Sequence, residues 1–275
     1  MSDAEPTFRD IIQAALKNPD ADYKIRSSVY TVPQGERKQS RAIKAIKKAR
    51  PQRDRHVIMG FAGLFTFDLA VAADPPPAGV LLCDANSNQA VFWEAFLPLI
   101  AECETAKELR ERFSAFEDTA DMRFSGEYAR TIIKSLCNED STEEKARLKW
   151  IYSEKKYEKV RTMVLDGKVA NITLDCLDEE RYKLVNKTLA DNNFSVSALY
   201  LSNILHFLSG ADFFGRPLEH STKKTSKIFW KNQLSLCDDE TLIMEANSYP
   251  DSAFVIKVHT RREIEKKFLD REASK

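Results

Sequence analysis

The stretch His56–Gln89, HVIMGFAGLFTFDLAVAADPPPAGVLLCDANSNQ, limits what this chain can fold into more than any other. Val57, Ile58 and Met59 form a short apolar run, and Gly60-Phe61-Ala62-Gly63 interrupts it. Leu64–Ala73 is compatible with a helix, Gly79–Cys83 (GVLLC) is a second apolar run, and Asp84 stands at its end. Short apolar runs bounded by turn residues read as buried strands, and a helix between two of them predicts a βαβ unit with parallel strands. Open α/β sheets bind ligands beyond the carboxyl ends of their strands, where a glycine turn lets the backbone approach closely. An acid after the second strand can accept hydrogen bonds from both hydroxyls of a ribose. The stretch therefore predicts a site for a nucleoside-containing ligand.

The rest of the chain extends the alternation. Upstream, Thr7–Lys17 predicts a helix ended by Asn18-Pro19-Asp20, Ser27–Val32 has the alternation of a strand, and the basic segment ERKQSRAIKAIKKAR is helix-compatible up to Pro51. Downstream, helices are expected over Asn86–Ile100, Thr105–Phe116, Asp178–Ala190 and Arg261–Arg271. Strands are expected over Lys168–Leu174, Val196–Leu201, Thr241–Ala246 and Ala253–Val258. The highly charged piece from Glu117 to Tyr157 reads as a helical insertion, with Trp150, Tyr152 and Tyr157 near its end. The fold class is α/β: a doubly wound, mostly parallel, Rossmann-like sheet whose last two strands form a hairpin, putting an antiparallel strand at the edge. The expected division is an N-terminal helical arm (1–55), a Rossmann-like domain (56–260) with its insertion at about 117–160, and a C-terminal helix (261–275).

Composition narrows the function. Basic and acidic residues are equal at 42 each, so the molecule as a whole is not committed to nucleic acid or membrane. Charge is local instead: between Glu36 and Arg55 nine basic residues stand against two acids, and Arg37–Arg55 is the one stretch suited to phosphates of nucleic acid, nucleotide or lipid. A solvated helix face is the plainer reading of such a run, and it lacks the interleaved aromatics of single-strand binders. Five scattered cysteines without a CxxC pair fit a reducing compartment. The opening MSDAEPTFRD has no signal-peptide pattern, and no apolar run reaches the roughly 18 residues of a membrane span. The expectation is a cytoplasmic protein, or one delivered into a host cytoplasm. HExxH, CxxC, GxSxG and GxxxxGK[ST] are all missing, so no metal site, nucleophile elbow or phosphate loop is predicted. His259 and Glu263, four apart, read as a solvated pair.

The order of these features resembles the class I S-adenosylmethionine-dependent methyltransferases over roughly Val57–His259. In that family a glycine loop follows the first strand, an acid after the second holds the ribose, an acid with an apolar neighbour after the third meets the adenine, and a polar segment follows the fourth. The resemblance maps these onto Gly60, Phe61 and Gly63; onto Asp84 and Ala85; onto Asp175 and Cys176; and onto Ser202 and Asn203. Asp84-Ala85-Asn86-Ser87-Asn88-Gln89 is also similar to the D-x-N-x-x-Q turn of some members that modify lipids and small molecules, and Tyr200-Leu201-Ser202-Asn203 to their post-strand segment. What the resemblance implies is S-adenosylmethionine as cofactor, transfer of a methyl or other cofactor-derived group, and a small-molecule or protein acceptor covered by Trp150, Tyr152 and Tyr157. Such a transfer needs in-line positioning more than acid–base power. The candidate catalytic residues are accordingly few, Asn203 and His206, the latter as a general base titrating near neutral pH.

Each assignment has a structural counterpart. Gly60 and Gly63 also suit close packing of helix on strand; Asp84, Asp175, Ser202 and Asn203 suit helix caps; His206 suits a packed position on an apolar helix. The family usually places an acid before a denser glycine pattern, and Met59 occupies that place here. Two further readings follow: a Rossmann module that binds a partner protein and catalyses nothing, and a nicotinamide-dependent oxidoreductase, which also uses an acid after the second strand but normally shows GxGxxG.

Overall fold

The computed structural model describes residues 5–18, 36–37, 39–51, 54–61, 63–85, 87–115, 149–202, 204, 223–248 and 254–269. Its strands are β1 (Glu36–Arg37), β2 (His56–Phe61), β3 (Gly79–Asp84), β4 (Val169–Thr173), β5 (Ser195–Leu201), β6 (Cys237–Ser248) and β7 (Phe254–His259). They form one sheet in the order β1-β7-β6-β5-β2-β3-β4. The pairs β2–β3, β3–β4, β2–β5 and β5–β6 are parallel, and β6–β7 is an antiparallel hairpin. The chain winds outward from β2 through β3 to β4, then returns to the other side of β2 as β5 and continues to β6. This is the expected mostly parallel α/β sheet, and its winding reverses between β2 and β5.

Helices cover both faces, which explains the unbroken apolar runs: every residue of β2 is buried. One face carries α1 (Phe8–Ala15) and, further along the chain, α7 (Glu179–Asp191) and α8 (Lys223–Ser235); their side chains pack on Val57, Met59, Phe61, Leu81 and Leu199. The other carries α2 (Gln39–Ala49), α3 (Phe65–Ala72), α4 (Ser87–Glu102) and α6 (Glu154–Leu165), packed with Ile58, Val80, Leu82 and Tyr200. Between α4 and α6 lies α5 (Ala106–Ala115), and α9 (Arg261–Ile264) continues as a π-helical turn over Glu265–Leu269.

The structure departs from the sequence expectations in four places. Residues 5–18 and 39–51, read as part of an arm, pack onto the sheet: Ile12 and Ala42 are wholly buried, and Glu36–Arg37 pairs with Phe254–Val255. That pairing also moves β7 inward from the edge. The helix α8 has no counterpart in the expected elements; Phe229, Trp230 and Leu234 bury its inner face. Trp150 and Tyr157, expected over an acceptor, are buried in the core. Trp150 donates from Nε1 to the carbonyl of Leu64 (3.1 Å), and the Tyr157 hydroxyl lies 2.8 Å from the carbonyls of both Ile100 and Cys103. Both aromatic side chains are buried core anchors, and Tyr152, half-buried, lies under the Arg110 guanidinium. The expected strand at Ser27–Val32 and most of the insertion lie outside the described residues.

Candidate functional site

Register places Leu201, Phe61, Cys83 and Ile172 in one row across β5, β2, β3 and β4. The chain leaves these strands just beyond that row, where Ser202, Gly63, Ala85 and Asp175 follow. Gly60, Phe61, Gly63, Asp84, Ala85, Asp175, Cys176 and Ser202 therefore all stand at the carboxyl end of the sheet, on both sides of the β2–β5 reversal. Asn203 and His206 lie outside the described residues.

Gly60 belongs to β2 itself, and its missing side chain has a definite use. A Cβ built there would lie 2.0 Å from Thr66 Oγ1 and 2.7 Å from Thr66 Cγ2, so Gly60 admits the first turn of α3 against the strand. The turn proper is made at Gly63, buried with φ 88°, a left-handed conformation that glycine adopts without penalty. Phe61 and Met59 point the other way, into the core beneath α1, α7 and α8.

Asp84 ends β3 and is half-buried. By strand alternation it shares a face with Val80 and Leu82, the face of α3 and α4. Its carbonyl accepts from Leu174 N (2.7 Å), which fixes the two strand ends side by side. The helix α4 starts three positions further on, at Ser87. Opposite Asp84 in the register stands Thr173, whose buried Oγ1 has no hydrogen-bond partner among the described residues. The Thr66 hydroxyl, buried beside Gly60, also has none.

Asp175 is exposed in the turn after β4. Its Oδ1 accepts from Leu177 N (2.9 Å), while the helix cap of α7 is Asp178, which accepts from Arg181 N (2.9 Å). Cys176 is buried, its carbonyl held by Asn232 Nδ2 (3.1 Å); burial first, and then the nearby Asp175 charge, push its thiol up to about 12. It is a packing residue rather than a nucleophile at neutral pH. Ser202 is buried, and its carbonyl accepts from Ile204 N (2.8 Å). Among the described residues no group of three or more potential metal ligands is found, and no helix is long and apolar enough to cross a membrane.

The sequence reading missed three residues here: Thr66, Thr173 and Glu245. Glu245 of β6 pairs in register with Leu201 and is almost wholly buried. Its Oε1 meets His259 Nε2 at 3.0 Å and Lys267 Nζ at 3.2 Å, tying the C-terminal helical segment to the sheet. Those two partners hold its carboxyl below the ordinary value even though burial, the largest influence, acts upward. His259 thus meets a residue 14 positions back, while Glu263, expected as its partner, closes the capping box of α9 with Thr260. Only a residue on an adjacent strand could have made this pair, and spacing along one helix cannot show it.

No curated protein matches the chain. Among solved structures, the rRNA methyltransferase aviRa of Streptomyces viridochromogenes is similar at a TM-score of 0.40 and 9% identity, over 76% of this chain and 72% of that one. The family described as Domain of unknown function (DUF7790) matches residues 31–222, a span that runs from β1 through β5 and takes in every rim residue from Gly60 to Ser202, and the chain belongs to that family.

Proposed function

We propose that the carboxyl-end crevice holds S-adenosylmethionine and that the protein is a methyltransferase acting on a small-molecule or protein acceptor. The observation that carries this reading is the pairing of Asp84, at the end of the strand beside β2, with the Thr173 hydroxyl, which has no partner among the described residues. A carboxylate and a hydroxyl side by side suit the two adjacent hydroxyls of a ribose, the carboxylate accepting from both. Buried polar atoms in folded proteins are seldom left without partners, so the orphan hydroxyl fits a polar ligand.

The other roles follow from position. The Gly63 turn, and the backbone of Gly60 and Phe61, run beside the amino-acid part of the cofactor. Asp175 accepts from the adenine amino group while the chain at Cys176 backs the ring. Ser202 lines the acceptor side; Asn203 as a contact and His206 as a base rest on the sequence alone. When bound, the cofactor supplies an electrophilic methyl group. The protein's task is to align the acceptor with it and exclude water. A cytoplasmic setting, or delivery into a host cytoplasm, belongs to the same reading.

Two observations favour a second reading, a partner-binding module without catalysis. The position before Gly60 is a core methionine, and the space over Gly60 is filled by Thr66. Thermal unfolding with S-adenosylmethionine, S-adenosylhomocysteine or NAD separates the possibilities, because a ligand that binds the native state raises the midpoint. A rise with the first two alone supports the methyltransferase. A rise with NAD alone assigns an oxidoreductase, and no rise with any leaves the binding module.

A further inference from the structure

The side of the protein formed by α2 carries a charge pattern that the crevice does not use. Arg41, Lys44, Lys47, Lys48 and Arg50 are exposed, and the segment 39–50 contains no acid. None of the five makes an ion pair among the described residues, whereas three lysines on the opposite face of the sheet do: Lys183 with Glu180, Lys187 with Asp191, Lys231 with Glu179. Arg55, from the same basic run, is engaged differently, with its guanidinium 4.3 Å from the ring centre of Phe194.

Helix stability does not explain the pattern. Cations in the last turn of a helix, such as Lys47 and Lys48, complement its dipole, but Arg41 stands in the first turn, where the dipole opposes a positive charge. The helix does not need these residues for anchorage either: Ala42 and Ile46 bury its inner face against the sheet and α3.

We infer that this face of α2 is a docking surface for the phosphate backbone of a nucleic acid duplex. Arg41, Lys44 and Lys48 follow the three- and four-residue steps of one helix ridge and span roughly 10 Å along it. Successive phosphates of one duplex strand advance about 3.4 Å along the axis, so the ridge covers about three of them. The exposed positions hold no aromatic side chain for stacking on unpaired bases, which sets single strands aside. They hold no large apolar side chain to enter a bilayer, which sets membrane insertion aside. The surface reads charge, not sequence. It begins at the carboxyl-end side of the sheet, since β1, just before α2, pairs with Phe254–Val255 opposite the last residues of β6. The inference is independent of the cofactor reading.

The test is fluorescence anisotropy of labelled duplex RNA and duplex DNA with the full chain at about 50 mM and 200 mM salt. Wild type binds at the lower salt and weakens steeply at the higher. R41A/K44A/K47A/K48A, with an unchanged circular dichroism spectrum and melting point, loses at least about tenfold in affinity and has a shallower salt dependence, by roughly 0.9 in log–log slope per phosphate contact removed. The charge-preserving R41K/K44R/K47R/K48R retains binding. The matched control K155A/K159A/K183A/K187A, with the same loss of charge on α6 and α7, changes affinity less than about twofold. A preference for one duplex over the other identifies the source of the phosphates. The inference is overturned by failure of wild type to bind either duplex at low salt, by equal losses in the control, or by binding confined to vesicles of equal parts phosphatidylcholine and phosphatidylserine.

Discussion

At the scale of single residues, the glycine loop holds the main lesson. Its two glycines do different work: Gly63 turns the chain, and Gly60 makes room for Thr66. Gly60→Ala drives a methyl group into the Thr66 side chain and is expected to destabilise the fold by about 1–3 kcal/mol, the usual cost of overpacking a tight core. Adding Thr66→Ala removes the two closest atoms and is expected to recover most of that loss. Denaturant unfolding of the single and double variants checks this, and additive losses in the double variant contradict it. The sequence made the turn legible because glycine is permissive, but it carried no sign of which neighbour fills the space. That neighbour comes from α3, and its hydroxyl shows its place only once the helix is folded onto the strand. Thr173 was hidden for the same reason: it draws meaning from Asp84, 89 positions earlier, through strand pairing.

At the scale of elements, the insertion re-enters the fold as a structural brace. Trp150 and Tyr157 stack with ring centres 6.1 Å apart and fasten α6 to the loop before α3 and to the end of α4. Aromatics following a charged segment suggest a lid in the sequence, yet their polar tips find backbone carbonyls in the core. The same junction buries a charge: Asp68 of α3 is 4% exposed and lies 3.4 Å from Lys156 of α6. Burial raises its carboxyl to about 7, and Lys156 offsets only part of that effect. The folded-state value lies above the ordinary 3.8, so between about pH 4 and pH 7 the folded protein binds more protons than the unfolded chain. Stability therefore falls as pH rises through that window and levels off above it, by at most about 4 kcal/mol. Asp68→Asn is expected to flatten this dependence, as measured by urea unfolding across the window. An unchanged slope in the variant contradicts the burial of a titrating carboxyl at the α3–α6 junction.

At the scale of the whole molecule, topology was the most legible part. Alternating apolar runs and amphipathic stretches led to a doubly wound, mostly parallel sheet, because strands buried on both faces and linked by helices leave few other solutions. The placement of the N-terminal segment was not legible. A two-residue strand is too short to leave a pattern, and the amphipathic signal of α1 and α2 does not say what each packs against. The candidate site divides the same way. Asp84, Gly63 and Ser202 were visible from their place after apolar runs, whereas Thr66, Thr173 and Glu245 depend on partners brought together by the sheet. Whether Asp84 at the end of β3 holds the ribose of S-adenosylmethionine is read from isothermal titration calorimetry of wild type and Asp84→Ala. One site is expected in the wild type and a loss of affinity of at least about tenfold in the variant, from removal of charge-assisted hydrogen bonds worth roughly 1.5–3 kcal/mol, with the melting point nearly unchanged. Equal affinity in both proteins, or no heat of binding in the folded wild type, contradicts it.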